Sequence, residues 1–335
     1  MDDVEHTNSK RPRLALLTAP GVPDPHNLDA IRERADVVIA HADTLADALA
    51  GADAVLLWDF FSSALSDAWH AADALQWVHV AAAGVDAMLF DGLRAAPVVL
   101  TNAHGTFSQP IAEFVLASIL AHDKQLHRSE TLQRQGTWQH RELTRTGGSR
   151  AIVVGTGGIG RATARLLRAV GLQVEGAGRT ARDQDPDFGT VFASDELAAH
   201  VGTADHVVLA APLTDATRGI LDAHVLAAMK PSAHLVNIGR GSLVDEPALI
   251  QALQGGQIAA ASLDVVAVEP MPADHPFWQM DNVHVSAHMS GDVHGWRDEL
   301  ADQFLVNLDA YIAGEPLDHI VDKDRGYVSS SPAAI

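Results

Sequence analysis

An apolar run, Ala151-Ile152-Val153-Val154, breaks into Gly155-Thr156-Gly157-Gly158-Ile159-Gly160 and then into an amphipathic stretch from Arg161 to Val170. That order is the strand, tight turn and helix start of a dinucleotide-binding unit. Gly155 lets the backbone turn sharply, Gly157 lets it approach a pyrophosphate, and Gly160 lets the helix pack against the strand. Gly158 and Ile159 open the helix, whose N-terminal N–H groups and positive dipole end favour phosphate. The five positions 155, 157, 158, 159 and 160 are therefore predicted to bind cofactor.

The rest of the chain alternates in the same way. Strands are predicted at 14–18, 37–39, 54–58, 77–80 and 97–101, with a helix at 44–50. A long apolar helix is expected over 111–125 and is followed by a second series of strands at 151–154, 172–177, 205–210, 233–238, 259–264 and 283–286. A last helix should run from 296 to 313, ended by Gly314 and Pro316. The pattern predicts an α/β protein with two doubly wound parallel-sheet domains of Rossmann-like or flavodoxin-like type. About a dozen N-terminal residues and the tail after Lys323 read as loose.

Composition narrows the partners. With 335 residues, two ordinary domains are expected. Lys and Arg number 23 against 43 Asp and Glu, a net charge of −20, which argues against nucleic acid or anionic membrane as a partner. An anionic substrate would need a local cation. There are no cysteines, which excludes disulfides, thiolate zinc sites and thiol catalysis; no metal is expected. The polar N-terminus does not read as a signal peptide, so a cytoplasmic protein is expected.

Four separated motifs, Gly155-x-Gly157-x-x-Gly160, Val236-Asn237-Ile238-Gly239-Arg240-Gly241, Leu263-Asp264-Val265 with Glu269-Pro270, and His288-Met289-Ser290-Gly291, give the chain its resemblance to the D-isomer-specific 2-hydroxyacid dehydrogenases. Ala81-Ala82-Ala83-Gly84-Val85-Asp86 also looks like that family's substrate-carboxylate loop. The resemblance spans about residues 50–325. It implies a discontinuous substrate domain, 1–103 with 289–335, a dinucleotide-binding domain at 104–288, and an active site in the cleft. It also implies a homodimer paired through the helix at 111–125 and the arm through Trp138, an apolar helix being expected to leave a large patch in a monomer.

The same resemblance assigns chemistry. His288 would carry the proton to and from the carbonyl oxygen, a role suited to a side chain titrating near neutrality. Glu269 would sit against it, favouring the charged imidazole and fixing its tautomer. Arg240 would bind the substrate carboxylate and polarise the carbonyl, since its planar fork matches a 2-oxo acid. The N–H groups of Ala83 and Gly84 resemble the second carboxylate grip, and Asp86 is expected to cap the following helix. Ala287 departs from the family, which usually has proline before the catalytic histidine.

Cofactor choice turns on the end of the second strand, where NAD enzymes place an acid on the ribose. Here the chain reads Gly178-Arg179-Thr180-Ala181-Arg182. Without that carboxylate, Arg179, Thr180 and Arg182 can donate to a 2′-phosphate, as in NADP-preferring members. NADPH is the expected cofactor and NAD the alternative, with Arg179 then a loop residue stacking on adenine. By resemblance Ala211, Pro212 and Thr217 line the ribose side. Ile238, Gly239, His288 and Gly291 complete the pocket, and Asp264 either accepts from the nicotinamide carboxamide or serves as a structural cap.

The substrate is the least legible part. Trp58 and Phe60 in Trp58-Asp59-Phe60-Phe61-Ser62 follow a strand end, and either face the substrate or plug the core. No cation stands there, which disfavours a phosphorylated substrate. Glyoxylate, hydroxypyruvate and 2-oxo acids with apolar or aromatic side chains stay open. So do a formate- or phosphite-type dehydrogenase on the same fold and a nucleotide-sensing corepressor-like binding protein.

Overall fold

Runs such as Leu14-Ala15-Leu16-Leu17 and Ala54-Val55-Leu56-Leu57 are apolar on both faces, which suits strands covered by helices on each side. The computed structural model describes residues 11–328. It divides into two compact units, one of residues 1–106 and 295–335, the other of residues 107–294. The crossings fall a few residues later than the expected 103/104 and 288/289. Phe107 begins the cap of the long helix of the second unit, and Met289 and Ser290 are bonded to Asp264 of that unit.

The first unit holds strands β1 (Arg13–Leu17), β2 (Asp36–Ala40), β3 (Ala54–Leu57), β4 (Trp77–Val80) and β5 (Val99–Asn102), all parallel, in the order β2-β1-β3-β4-β5. This is the flavodoxin-like order. Its short helices are α1 (Leu28–Arg34), α2 (Leu45–Leu49), α3 (Ala64–Ala68) and α4 (Asp91–Ala95). Leu45, Leu49, Leu65 and Leu93 pack against Leu17, Val55, Leu57, Val78 and Val80.

The second unit begins with α5 (Ser108–Asp123) and α6 (Leu126–Arg134). Its strands are β6 (Arg150–Val154), β7 (Gln173–Gly178), β8 (Arg182–Asp185), β9 (Gly189–Ala193), β10 (His206–Leu209), β11 (His234–Asn237), β12 (Ala260–Leu263) and β13 (Val283–Val285). The sheet order is β13-β12-β11-β10-β6-β7-β9-β8, parallel except for the β8–β9 edge. The strand order reverses between β6 and β10, the switch point beside which open α/β sheets bind ligands. Helices α7 (Gly158–Ala169), α8 (Leu197–His200), α9 (Ala223–Ala228) and α10 (Glu246–Gln254) complete it. Among the described residues no helix is long and apolar enough to cross a membrane.

In the first unit the chain ends with α11 (Trp296–Ala313), whose Phe304 and Tyr311 each stack on Trp77 at 5.3 Å. The segment after Lys323 is not loose through Val328: β14 (Val321–Asp322) and β15 (Tyr327–Val328) pair antiparallel, and Lys323 Nζ donates to three carbonyls, those of Leu93, Ala96 and Val98. Residues 1–10 of the expected loose lead, and the last seven of the tail, lie outside the described residues.

The predicted helix at 111–125 corrects one premise of the dimer. Ile111, Ala112, Val115 and Ile119 are buried, and α5 lies against α7 and β11 of its own unit. Its apolar face is therefore spent within the chain. The exposed apolar side chains in this region belong to Leu126, Trp138 and Leu143 in the segment that follows.

Candidate active site

The glycine loop is built by contacts that a side chain would forbid. Gly155 has φ +109, and a Cβ there would fall 2.6 Å from the backbone of Ala210. At Gly160 it would fall 1.9 Å from the Gly155 carbonyl. Gly157, the N-cap of α7, is different: a Cβ there would meet nothing within 4 Å. Gly157 and Gly158 are exposed, and no side chain caps the helix. Its first N–H groups thus face open space, as a bound pyrophosphate requires.

At the end of β7, Gly178 is buried beside this loop, and a Cβ would lie 3.1 Å from Thr156 Oγ1 and 3.3 Å from Val191. Arg179 and Thr180 follow, both exposed. Arg182, also predicted for the cofactor, lies in a strand. It starts β8, and its Nε donates to Asp185 at 2.8 Å. Glu175 lies within β7 and pairs with Arg150, away from the strand end.

Between β10 and β12 the loop after β11 carries Arg240. Asn237 ties it down at both ends: its Oδ1 accepts from Gly239 N at 3.1 Å and its Nδ2 donates to Arg240 O at 3.0 Å. Gly241 is pressed onto Val266, where a Cβ would fall 2.0 Å from the backbone. Arg240 itself is partly buried, and its Nη1 donates to Gly239 O at 2.8 Å. Nearby, Ala211 and Ile238 are buried; Thr217 is half-buried and donates to Pro212 O at 2.6 Å.

His288 and Glu269 meet as predicted in residue terms. His288 Nδ1 lies 2.7 Å from Glu269 Oε2, both about one-third exposed. Glu269 Oε1 accepts from Val266 N at 3.0 Å. Burial works to raise the Glu269 pKa, but the bonds from His288 and Val266 and the charges of His288 and Arg240 outweigh it and hold the carboxyl below its usual value. Nδ1 is committed to the Glu269 carboxylate, which fixes the orientation of the ring.

His288 has φ +52, a conformation that a non-glycine residue adopts only when its surroundings hold it. Asp264 does so. Its buried carboxylate accepts from Ser286 Oγ at 2.7 Å, Met289 N at 2.9 Å and Ser290 N at 3.1 Å, and its carbonyl accepts from His288 N at 2.9 Å. Of the two roles left open for Asp264, these bonds fit the structural one. Ser286, Ser290 and Asn237 were not singled out from the sequence. They hold the site through hydrogen bonds to main chain or to Asp264, which residue type alone does not signal. Gly291, predicted for cofactor, is packed on Phe107 at a distance of 2.6 Å from a would-be Cβ.

In the first unit, Ala83 and Gly84 lie just beyond β4. Asn102 Nδ2 donates to Ala83 O at 2.5 Å, and among the described residues no acceptor meets the Ala83 and Gly84 N–H groups. Asp86 does not cap: it is the first residue of a short 3₁₀ turn whose N-cap is Val85. Trp58 is 3% exposed, with its indole N–H donating to Pro23 O at 2.7 Å, and Phe60 packs against Phe61 and Trp296. Trp58 is thus a core residue, and Phe60 is half-buried against that core. The exposed aromatic of that turn is Phe61.

Residues 116–290 match the D-isomer specific 2-hydroxyacid dehydrogenase, NAD binding domain. Among similar proteins, glyoxylate/hydroxypyruvate reductase A of Yersinia enterocolitica is 32% identical over 261 residues, 76% of this chain and 82% of that protein. A D-isomer specific 2-hydroxyacid dehydrogenase from Xanthobacter autotrophicus Py2, solved with NADPH and MES, is 32% identical with a TM-score of 0.80, covering 94% of this chain and 100% of that one. The NADPH-dependent glyoxylate/hydroxypyruvate reductase of Sinorhizobium meliloti, solved with NADP and sulfate, is 26% identical with a TM-score of 0.80, covering 94% and 99%.

Proposed function

Because this chain belongs to the D-isomer specific 2-hydroxyacid dehydrogenases, oxidoreductases that use NAD(P) and act on CH–OH donors, we propose that it reduces glyoxylate or hydroxypyruvate with NADPH. The observation that carries the reading is the 2.7 Å pair of His288 with Glu269, beside a loop that holds Arg240. The nicotinamide, when bound, supplies the hydride. His288 gives its Nε2 proton to the carbonyl oxygen as charge develops there, and Glu269 stabilises the imidazolium before the proton leaves. Arg240 binds the carboxylate and draws electron density onto the carbonyl oxygen.

NADPH is favoured by two features. Gly178 leaves no acid against a 2′-phosphate, and Arg179 and Thr180 follow it as exposed donors. The relatives named for glyoxylate and hydroxypyruvate support a small substrate. A reductase screen across some twenty 2-oxo acids with both nicotinamides tests this. Best turnover on glyoxylate or hydroxypyruvate with NADPH is expected. Preference for a bulky 2-oxo acid, or activity only as formate or phosphite oxidation, refutes it.

A further inference from the structure

Two arginines reach one buried carboxylate from the two segments that flank the predicted dinucleotide site. Arg161 comes from the first turn of α7, directly after Gly160, and its Nη1 and Nη2 donate to Asp185 Oδ1 and Oδ2, each at 3.0 Å. Arg182 comes from the start of β8, beside the Gly178–Thr180 turn, and donates from Nε to the same Oδ2 at 2.8 Å. The Asp185 side chain is 2% exposed, and its Oδ1 also accepts from the N–H groups of Asp187 and Phe188.

A buried carboxylate is tolerated only when its charge is met, and here two guanidinium groups meet it. Burial pushes the Asp185 pKa up, but Arg161, Arg182 and the two N–H groups more than reverse this, so the group is anionic at any working pH. Asp187 extends the knot by accepting from Arg161 at 2.7 Å and Arg165 at 3.2 Å. Three guanidinium groups thus face two carboxylates, which leaves the cluster cationic.

The consequence lies in Arg182. With Nε pinned by Asp185 and Nη1 set 3.4 Å from Thr180 O, its plane is fixed along the turn that carries Arg179 and Thr180. Its Nη2 has no partner among the described residues. A free arginine would give up side-chain entropy on gripping a phosphate; one already fixed has less to lose. We propose that Asp185 is a positioning residue for cofactor selection. It presents Arg182 to the 2′-phosphate of NADPH and couples that grip, through Arg161, to the helix that receives the pyrophosphate. The proposal rests on the NADPH reading given above.

Calorimetric titration with adenosine 2′,5′-bisphosphate and with 5′-AMP reads the 2′-phosphate grip without turnover. Asp185→Asn should bind the bisphosphate about tenfold more weakly, the order expected for one charge-assisted grip, and 5′-AMP within about twofold of wild type. In steady state the KM for NADPH should rise with kcat unchanged and NADH unaffected. Arg182→Lys keeps the charge but loses the Nε donor, and should show the same selective loss; it serves as the test if Asp185→Asn does not fold. Equal weakening of both ligands, or tighter bisphosphate binding, overturns the positioning role. If the wild type itself binds the two ligands equally, the NADPH reading falls. If it discriminates and both variants discriminate equally well, only the role of Asp185 falls.

Discussion

Acid should weaken the first unit through one histidine that has no part in catalysis. His79 lies in β4 with no exposed surface, its Nδ1 2.8 Å from Thr101 Oγ1 and its ring 5.3 Å from Phe304. Thr101 Oγ1 also accepts from the Trp77 indole at 2.8 Å, which leaves its proton for the imidazole. Burial, with the charge of His319 second, lowers the His79 pKa from 6.5 to about 3. The folded protein therefore keeps the ring neutral where the unfolded chain protonates it. Stability is fully present above pH 6.5 and is lost as pH falls from 6.5 toward 3. At pH 5 the unfolded chain has gained about 1.5 decades of protonation over the folded one, or about 2 kcal/mol. His79→Gln removes the titration. Urea unfolding at pH 8 and pH 5, with hydrogen exchange of the β3–β5 amides as the local readout, should show the wild type losing about 2 kcal/mol more than the variant over that interval. Other histidines with lowered pKa values, the buried His234 and the half-buried His284, cancel in this double difference. Equal acid sensitivity of the two proteins, within about 0.5 kcal/mol, would refute a buried neutral His79.

Other expectations follow from the site. His288→Ala should lower kcat for reduction by roughly 10²–10⁴, the usual worth of a general acid, with NADPH binding unchanged by fluorescence titration; near-normal turnover would move the proton elsewhere. Arg240→Lys should raise KM and lower kcat together, because an ammonium cannot serve carboxylate and carbonyl at once; a variant within about twofold of wild type would reduce Arg240 to a point charge. Gly157→Ala should keep its melting temperature yet bind NADPH poorly, whereas Gly160→Ala should lose stability itself, since its Cβ would strike the Gly155 carbonyl; thermal melts with and without cofactor separate the two. A homodimer is expected, joined through the exposed Leu126, Trp138 and Leu143 of the segment after α5; sedimentation of a monomer at micromolar concentration would count against it.

Where the sequence was read well, the signal was local and strong. Each parallel strand that formed a continuous buried run, such as Val207-Val208-Leu209 or Leu235-Val236, was legible within a residue or two. The strands β8 and β9 were missed because Arg-Asp-Gln-Asp and Gly-Thr-Val-Phe-Ala carry little apolar periodicity; β8 is an edge strand held largely by Asp185 and its arginines. Short helices such as Ala64–Ala68 end too soon to show a repeat. At the site, Arg240, Glu269 and His288 were found because chemistry restricts their type. Asn237, Ser286 and Ser290 were not, because they act through hydrogen bonds to main chain or to Asp264 that any polar residue at many positions could suggest. Trp58 and Phe60 were open from the sequence, since an aromatic after a strand reads alike whether it faces ligand or core.

The crowding around Gly178 sets a limit on how this protein can change its coenzyme. An acid at that position is the obvious route to an NAD enzyme, but the route starts from a Cβ already 3.1 Å from Thr156 Oγ1 and 3.3 Å from Val191. Thr156 belongs to the loop between Gly155 and Gly157, so making room for the acid disturbs the turn that holds the pyrophosphate. A single Gly178→Asp change would then weaken both coenzymes rather than exchange one for the other. Conversion would need a smaller residue at 156 in the same step, which makes the proposed NADPH preference a ridge between two sequences and a trait that drift alone crosses with difficulty.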